Sequence, residues 1–84
     1  MFLHVGNNRN IRKKDIIGIF DMDNATVSGV TRKFLSDAQK KNIIESVGYE
    51  IPKSFVLYRG GEGVSICFSP LSSASLQGRF LNDR

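Results

Sequence analysis

An apolar run, Ile16-Ile17-Gly18-Ile19-Phe20, leads into Asp21-Met22-Asp23-Asn24-Ala25-Thr26. Two carboxylates at a strand end, with a threonine three residues beyond the second, match a known phosphatase arrangement. There the first aspartate attacks phosphorus, the second manages protons and Mg²⁺ neutralises charge. That chemistry also needs a phosphate-holding lysine and further carboxylates on later strands of a parallel sheet. The chain beyond Thr26, with two strands committed to a hairpin, is too short to build them. Asp21 and Asp23 are therefore expected to solvate a strand end. A calcium loop fails as well, because Ala25 and Thr26 occupy positions that need a ligand and a glycine. His4 has no second histidine beside it, and Cys67 is the one cysteine. His4 reads as a structural strand residue and Cys67 as a small buried side chain. Gly60-Gly61-Glu62-Gly63 lacks both the Lys-Ser/Thr of a phosphate loop and a following helix, so it reads as a turn. No catalytic residue, metal ligand or cofactor is expected, and no enzyme.

The cationic side chains carry more information. Twelve Lys and Arg oppose eight Asp and Glu, a net charge of +4. The excess lies wholly in residues 1–42, which hold Arg9, Arg12, Lys13, Lys14, Arg32, Lys33, Lys40 and Lys41 against Asp15, Asp21, Asp23 and Asp37. Clustered positive charge favours polyanions, because neutralising phosphates releases condensed counterions. A charge of this size grips a polyanion only when several copies pool it on one surface. Taken with the family resemblance given below, this charge makes Arg12, Lys13, Lys14 and Lys53 the expected main phosphate contacts, with Arg9, Arg32 and Lys33 secondary. Aromatic residues are not interleaved with these charges, so stacking on bases is not expected. Charged edge strands also block unwanted sheet pairing, which is the competing explanation for Arg9 to Lys14.

The elements that must position these groups follow from patterning. A chain of 84 residues is read as one small domain, residues 1–84, whose stability gains from association. No stretch approaches the length of a membrane span, no signal peptide is evident, and a single cysteine excludes an internal disulfide framework. Cytoplasmic residence is expected. Phe2-Leu3-His4-Val5 reads as a strand stopped by Gly6-Asn7-Asn8, with residues 10–14 pairing back. Residues 16–20 read as a strand covered on both faces, closed by Asp21 to Asn24 as a loop. A long helix follows, with Ser28 as N-cap and a stripe of Val30, Phe34 and Ala38 widened by Leu35. Residues 43–47 read as a strand and residues 48–52 as a loop, since Pro52 cannot donate to a sheet. Residues 54–58 and 64–68 form a hairpin in which Val64, Ile66 and Phe68 share one face and Ser65 and Cys67 the other. After Ser69-Pro70, Ser72 or Ser73 caps a short terminal helix presenting Leu76, Phe80 and Leu81. The fold class is α+β: a small, mainly antiparallel sheet with one central helix and a short C-terminal helix.

Five ordered blocks resemble a known family: residues 1–6, residues 15–21 (Asp-Ile-Ile-Gly-Ile-Phe-Asp), residues 31–35 (Thr-Arg-Lys-Phe-Leu), residues 52–56 (Pro-Lys-Ser-Phe-Val) and residues 69–76 (Ser-Pro-Leu-Ser-Ser-Ala-Ser-Leu). In order and spacing they are similar to the bacterial extracellular-matrix regulatory proteins, the Rem family, and within it to the B-type members. The resemblance implies a DNA-binding transcriptional regulator of matrix (biofilm) genes with a LytTR-like fold. It also implies self-association into a closed homo-oligomeric ring whose arginines hold curved double-stranded DNA. The chain departs from the A-type pattern at three places. Ile51 and Pro52 stand where A-type relatives have adjacent arginines, and Asp15 stands where they have a third. Lys13, Lys14 and Lys53 are the nearby substitutes, without the bidentate fork of arginine. A runner-up expectation follows from that loss, namely an oligomeric structural or partner-binding paralogue without DNA affinity, meeting its partner through an apolar edge and the terminal helix. No membrane partner and no small-molecule substrate are expected.

Overall fold

The computed structural model describes residues 1–25, 29–48, 50–61 and 63–81. Its elements are β1 (Phe2–Gly6), β2 (Arg9–Arg12), a 3₁₀ turn (Lys13–Asp15), β3 (Ile16–Asp21), α1 (Met22–Ala25), α2 (Gly29–Lys40), β4 (Ile44–Ser46), β5 (Ser54–Gly60), β6 (Gly63–Ser69) and α3 (Ser73–Leu81). The α+β class expected from patterning is the class observed.

Local chemistry explains the short connections. β1 and β2 pair antiparallel, and Asn7 and Asn8 both take left-handed φ, 47° and 64°, which a two-residue primed turn requires and which asparagine tolerates. α2 ends in a Schellman arrangement: Asn42, at φ 57°, donates its N–H to the Gln39 carbonyl, while Ile43 N–H reaches back to Ala38. The Ser72 hydroxyl accepts from Ser75 N–H and so caps α3. Ser28, expected to cap the long helix, lies outside the described residues.

The larger sheet runs β3-β5-β6-β4, antiparallel except for the β4–β6 pair, which is parallel. Period-two alternation along its two central strands sends side chains into two separate cores. On one face Val56 and Cys67 pack with Leu3, Val5 and Ile11 of the β1–β2 hairpin, with Val47, and with Leu76 of α3. On the other face Phe55 and Ile66 pack against Ala38, with Leu35, Ile44 and Phe68 closing around them. Three layers result: α2, the four-stranded sheet, then the hairpin together with α3. Two buried hydroxyls tie the layers. Ser69 Oγ donates to the Val5 carbonyl at 2.7 Å and accepts from Leu71 N–H, while Ser54 Oγ donates to the Leu71 carbonyl.

Several expectations need correction. β3 is not covered on both faces: it is an edge strand, and Ile17 and Phe20 remain 50% and 41% exposed. A register irregularity between Ile16 and Gly18 turns Ile17 outward, and Phe20 only stacks on Phe55 at 5.1 Å between ring centroids. Residues 22–25 form a helical turn rather than a loop, because Asp21 Oδ1 accepts the Asp23 N–H and caps it. Of the expected α2 stripe, Ala38 is buried but Phe34 is exposed, so the buried face centres on Leu35 and Ala38. Of the side chains α3 was expected to present to a sheet or a neighbour, Leu76 is buried and Leu81 is exposed within one copy.

Leu76 is fully buried where the hairpin, α3 and the sheet meet. Leu76→Ala should cost about 2–5 kcal/mol in urea unfolding, and a loss below about 1 kcal/mol would mean that this layer is not packed as described. Burial also pushes the Cys67 thiol up to about 12, with the Glu45 charge adding to the effect. Below pH 9 folded and unfolded chains both keep this proton, so the shift is silent. Between pH 9 and 12 only the unfolded chain releases it, so stability falls as pH rises. The drop in unfolding free energy from pH 8 to pH 10.5 should be smaller in Cys67→Ala than in the wild type, and equal drops would contradict the assignment.

Candidate functional site

The segment leaving β2 concentrates three of the expected phosphate contacts. Arg12, Lys13 and Lys14 line an open groove of about 610 Å³ together with Met1, Phe80 and Leu81. The backbone builds it: Lys13 N–H donates to the Met1 carbonyl at 3.0 Å, and the 3₁₀ turn over Lys13–Asp15 displays consecutive side chains in different directions. Arg12 Nε pairs with Asp15 Oδ2 at 3.2 Å, so the acidic residue that stands in place of an expected cation instead orients one. Lys13 turns inward. Its Nζ donates to the carbonyl oxygens of Arg79 and Phe80, at 3.2 and 2.9 Å, and lies 5.7 Å from the Phe80 ring centroid. This places a cation on the last carbonyls of α3, where the helix dipole favours it. Lys14 is exposed on the groove's rim.

Arg9 serves a different purpose. Its Nε pairs with Glu45 Oε2 at 2.8 Å, its Nη2 donates to the Tyr58 hydroxyl at 3.3 Å, and that hydroxyl donates to Glu45 Oε1 at 3.2 Å. Arg9 also lies 5.8 Å from the Tyr58 ring centroid. The guanidinium is held protonated beyond its ordinary range, chiefly by the Glu45 hydrogen bond, while burial raises the Tyr58 hydroxyl. The triad clamps the hairpin to β4 and β5. Sequence patterning had no signal for it, since its members lie far apart in the chain.

The remaining cations stand elsewhere. Lys53 is exposed just before β5, and its backbone bonds Ser69 and Met22 at the far end of β3 from the groove. Arg32 and Lys33 are exposed on α2, in the layer across the sheet. One copy of the chain therefore brings Arg12, Lys13 and Lys14 together and leaves Lys53, Arg32 and Lys33 apart from them.

Asp21 is tied into the fold through both carboxylate oxygens. One oxygen caps α1, and the other accepts from Ser73 Oγ at 3.4 Å, which joins β3 to the start of α3. Among the described residues no three His, Cys, Asp or Glu side chains converge as a metal site. His4 is exposed on β1, where Arg79 Nη1 lies 3.4 Å from its Nδ1 and donates to its carbonyl. Cys67 is buried in the core, as its alternation with Ile66 and Phe68 implied. Among the described residues no helix is long and apolar enough to cross a membrane.

No family model matches the chain. It is 37% identical over 79 residues to extracellular matrix regulatory protein B of Bacillus subtilis (strain 168), an alignment that covers 94% of this chain and 89% of that protein. At this identity, along nearly the full length of both chains, the protein belongs to the extracellular matrix regulatory protein B family.

Proposed function

We propose that the chain is a cytoplasmic, non-enzymatic transcriptional regulator of extracellular-matrix (biofilm) genes that binds double-stranded DNA as a ring-shaped homo-oligomer. The observation that supports this reading is the cationic rim of the groove, where Arg12 and Lys14 stand exposed beside Lys13. Such a rim suits phosphate oxygens, and it carries no array of aromatic faces for stacking on bases. Of the expected main contacts, Arg12, Lys14 and Lys53 reach phosphates directly in this reading and Lys13 stands behind them, with Arg9, Arg32 and Lys33 secondary. Arg9 and Lys13 are already bonded inside the fold, so their share is a diffuse field rather than a direct grip. A formal charge of +4 per copy is modest, so affinity comes from repeating the rim around an assembly, and specificity comes from the bend the DNA must adopt. The relative's name, a regulatory protein of the matrix, fits this role.

A second reading, an oligomer that meets a protein partner without DNA, is favoured by one observation. Ile17 and Phe20 expose an apolar sheet edge that carries no charged blocker between them.

Anisotropy titration of a labelled duplex at several salt concentrations separates the two. The DNA reading expects binding at low salt that weakens steeply as salt rises. Lys53→Glu, which takes one cation away from the phosphates, should reduce the log–log slope by about 1. No binding at low salt, or binding indifferent to salt, rejects it in favour of the second reading.

A further inference from the structure

The groove beside Arg12 has two chemistries. Its floor is hydrocarbon, made by Met1, Phe80 and Leu81, and its rim is cationic. Met1 and Leu81 stand 62% and 79% exposed, while Phe80 is half-buried. Phe2, also 62% exposed, pairs with Arg12 across the β1–β2 hairpin and so stands beside the same opening. Apolar side chains scattered singly over a surface need no explanation, but several gathered around one concavity mark a binding surface.

A duplex leaves this floor unused. Phosphate oxygens meet the rim cations, and the DNA backbone carries no hydrocarbon chain to cover Met1, Phe80 and Leu81. The cations suit one compact anion as well as a polyanion. Lys14 is exposed, and Arg12 engages Asp15 through Nε, which leaves its terminal nitrogens available to an anion. Lys13 is committed to the Arg79 and Phe80 carbonyls and adds only its field. A ligand that satisfies floor and rim together carries one anionic head and an apolar chain. The groove's volume of about 610 Å³ lies within the roughly 300–1,000 Å³ of small-molecule sites.

We propose that the groove is an effector site for a long-chain carboxylate, whose head meets Arg12 and Lys14 and whose chain covers Met1, Phe80 and Leu81. The head and the phosphates of a duplex need the same two cations, so bound carboxylate excludes DNA from the rim. That exclusion rests on the DNA reading given above, whereas binding of the carboxylate stands on the groove alone. The head's charge sets the orientation and the chain supplies the affinity.

Isothermal titration of the full chain with dodecanoate, kept below its micelle concentration, tests the site. Binding should saturate at one per chain and be about tenfold tighter than that of decanoate, the worth of two buried methylenes. Acetate, which lacks the chain, and dodecyltrimethylammonium, which reverses the charge, should not bind. Lys14→Glu and Leu81→Asn should each weaken dodecanoate by about tenfold or more, with an unchanged circular-dichroism spectrum. Ile51→Ser, at another exposed apolar residue, should leave it unaltered. Equal affinities for decanoate and dodecanoate, equal binding of the two dodecyl compounds, or wild-type binding by Lys14→Glu or Leu81→Asn would each overturn the proposal. So would capture of the chain by phosphatidylglycerol vesicles without binding of monomeric dodecanoate, which assigns the surface to a membrane instead. Added to a complex with labelled duplex at low salt, dodecanoate should release the DNA and acetate should not; simultaneous binding of both ligands overturns the exclusion. Dodecanoate bound by a chain that ignores DNA keeps the site and removes the DNA reading, whereas DNA held by a chain that ignores dodecanoate does the reverse.

Discussion

The four-stranded sheet has to be covered on both faces, because its two central strands are apolar in both registers. β5 places Phe55 on one side and Val56 on the other, and β6 does the same with Ile66 and Cys67. With only 84 residues, the chain meets this demand by using every other element as a lid. α2 closes one face, while the hairpin and α3 share the other. Neither lid is large. Each is held by a few apolar side chains, so the polar ties between layers take on weight. Ser69 and Ser54 donate to the Val5 and Leu71 carbonyls, and a buried carbonyl left without a donor is costly.

The charged groups are partly consumed by the same demand. Arg9 fastens the hairpin across Glu45 and Tyr58, and Lys13 fastens the end of α3. Both were expected at the binding surface on the strength of their charge, and both also serve as clamps. Ion pairs at this degree of exposure contribute little stability singly. Their geometric effect is larger, since Arg9 sets the hairpin against the sheet and Lys13 sets the segment leaving it against α3, beside the groove. Cationic residues that carry the fold and cationic residues left at the rim are thus neighbours in sequence, and only their partners distinguish them.

Coverage is incomplete at two places, and both fall at the periphery. Among the described residues β3 pairs on one side only, and Ile17 and Phe20 face solvent. The corner around Ile51 has no layer above it. A larger domain would bury such side chains, whereas a single copy of this chain leaves them in water.

Much was legible from residue patterns alone. Alternation in residues 64–68, the asparagine turn at Asn7-Asn8, the capping serine before α3 and the burial of Cys67 all depend on local periodicity and backbone preference, which neighbours in sequence determine. The family was legible too, and the 37% identity over nearly the whole chain bears it out. The status of β3 was not legible, because an apolar run reads the same whether its strand is central or at an edge; strand order decides, and strand order is set by which lids fit. Asp21 likewise looked available until its two oxygens were accounted for by a backbone amide and by a hydroxyl 52 residues away. The partners of Arg9 and Lys13 lie 36 and 67 residues away along the chain. Composition and order fixed which side chains exist and how each short segment bends, but only the packing of the three layers decided which charges were spent inside and which were left for another molecule.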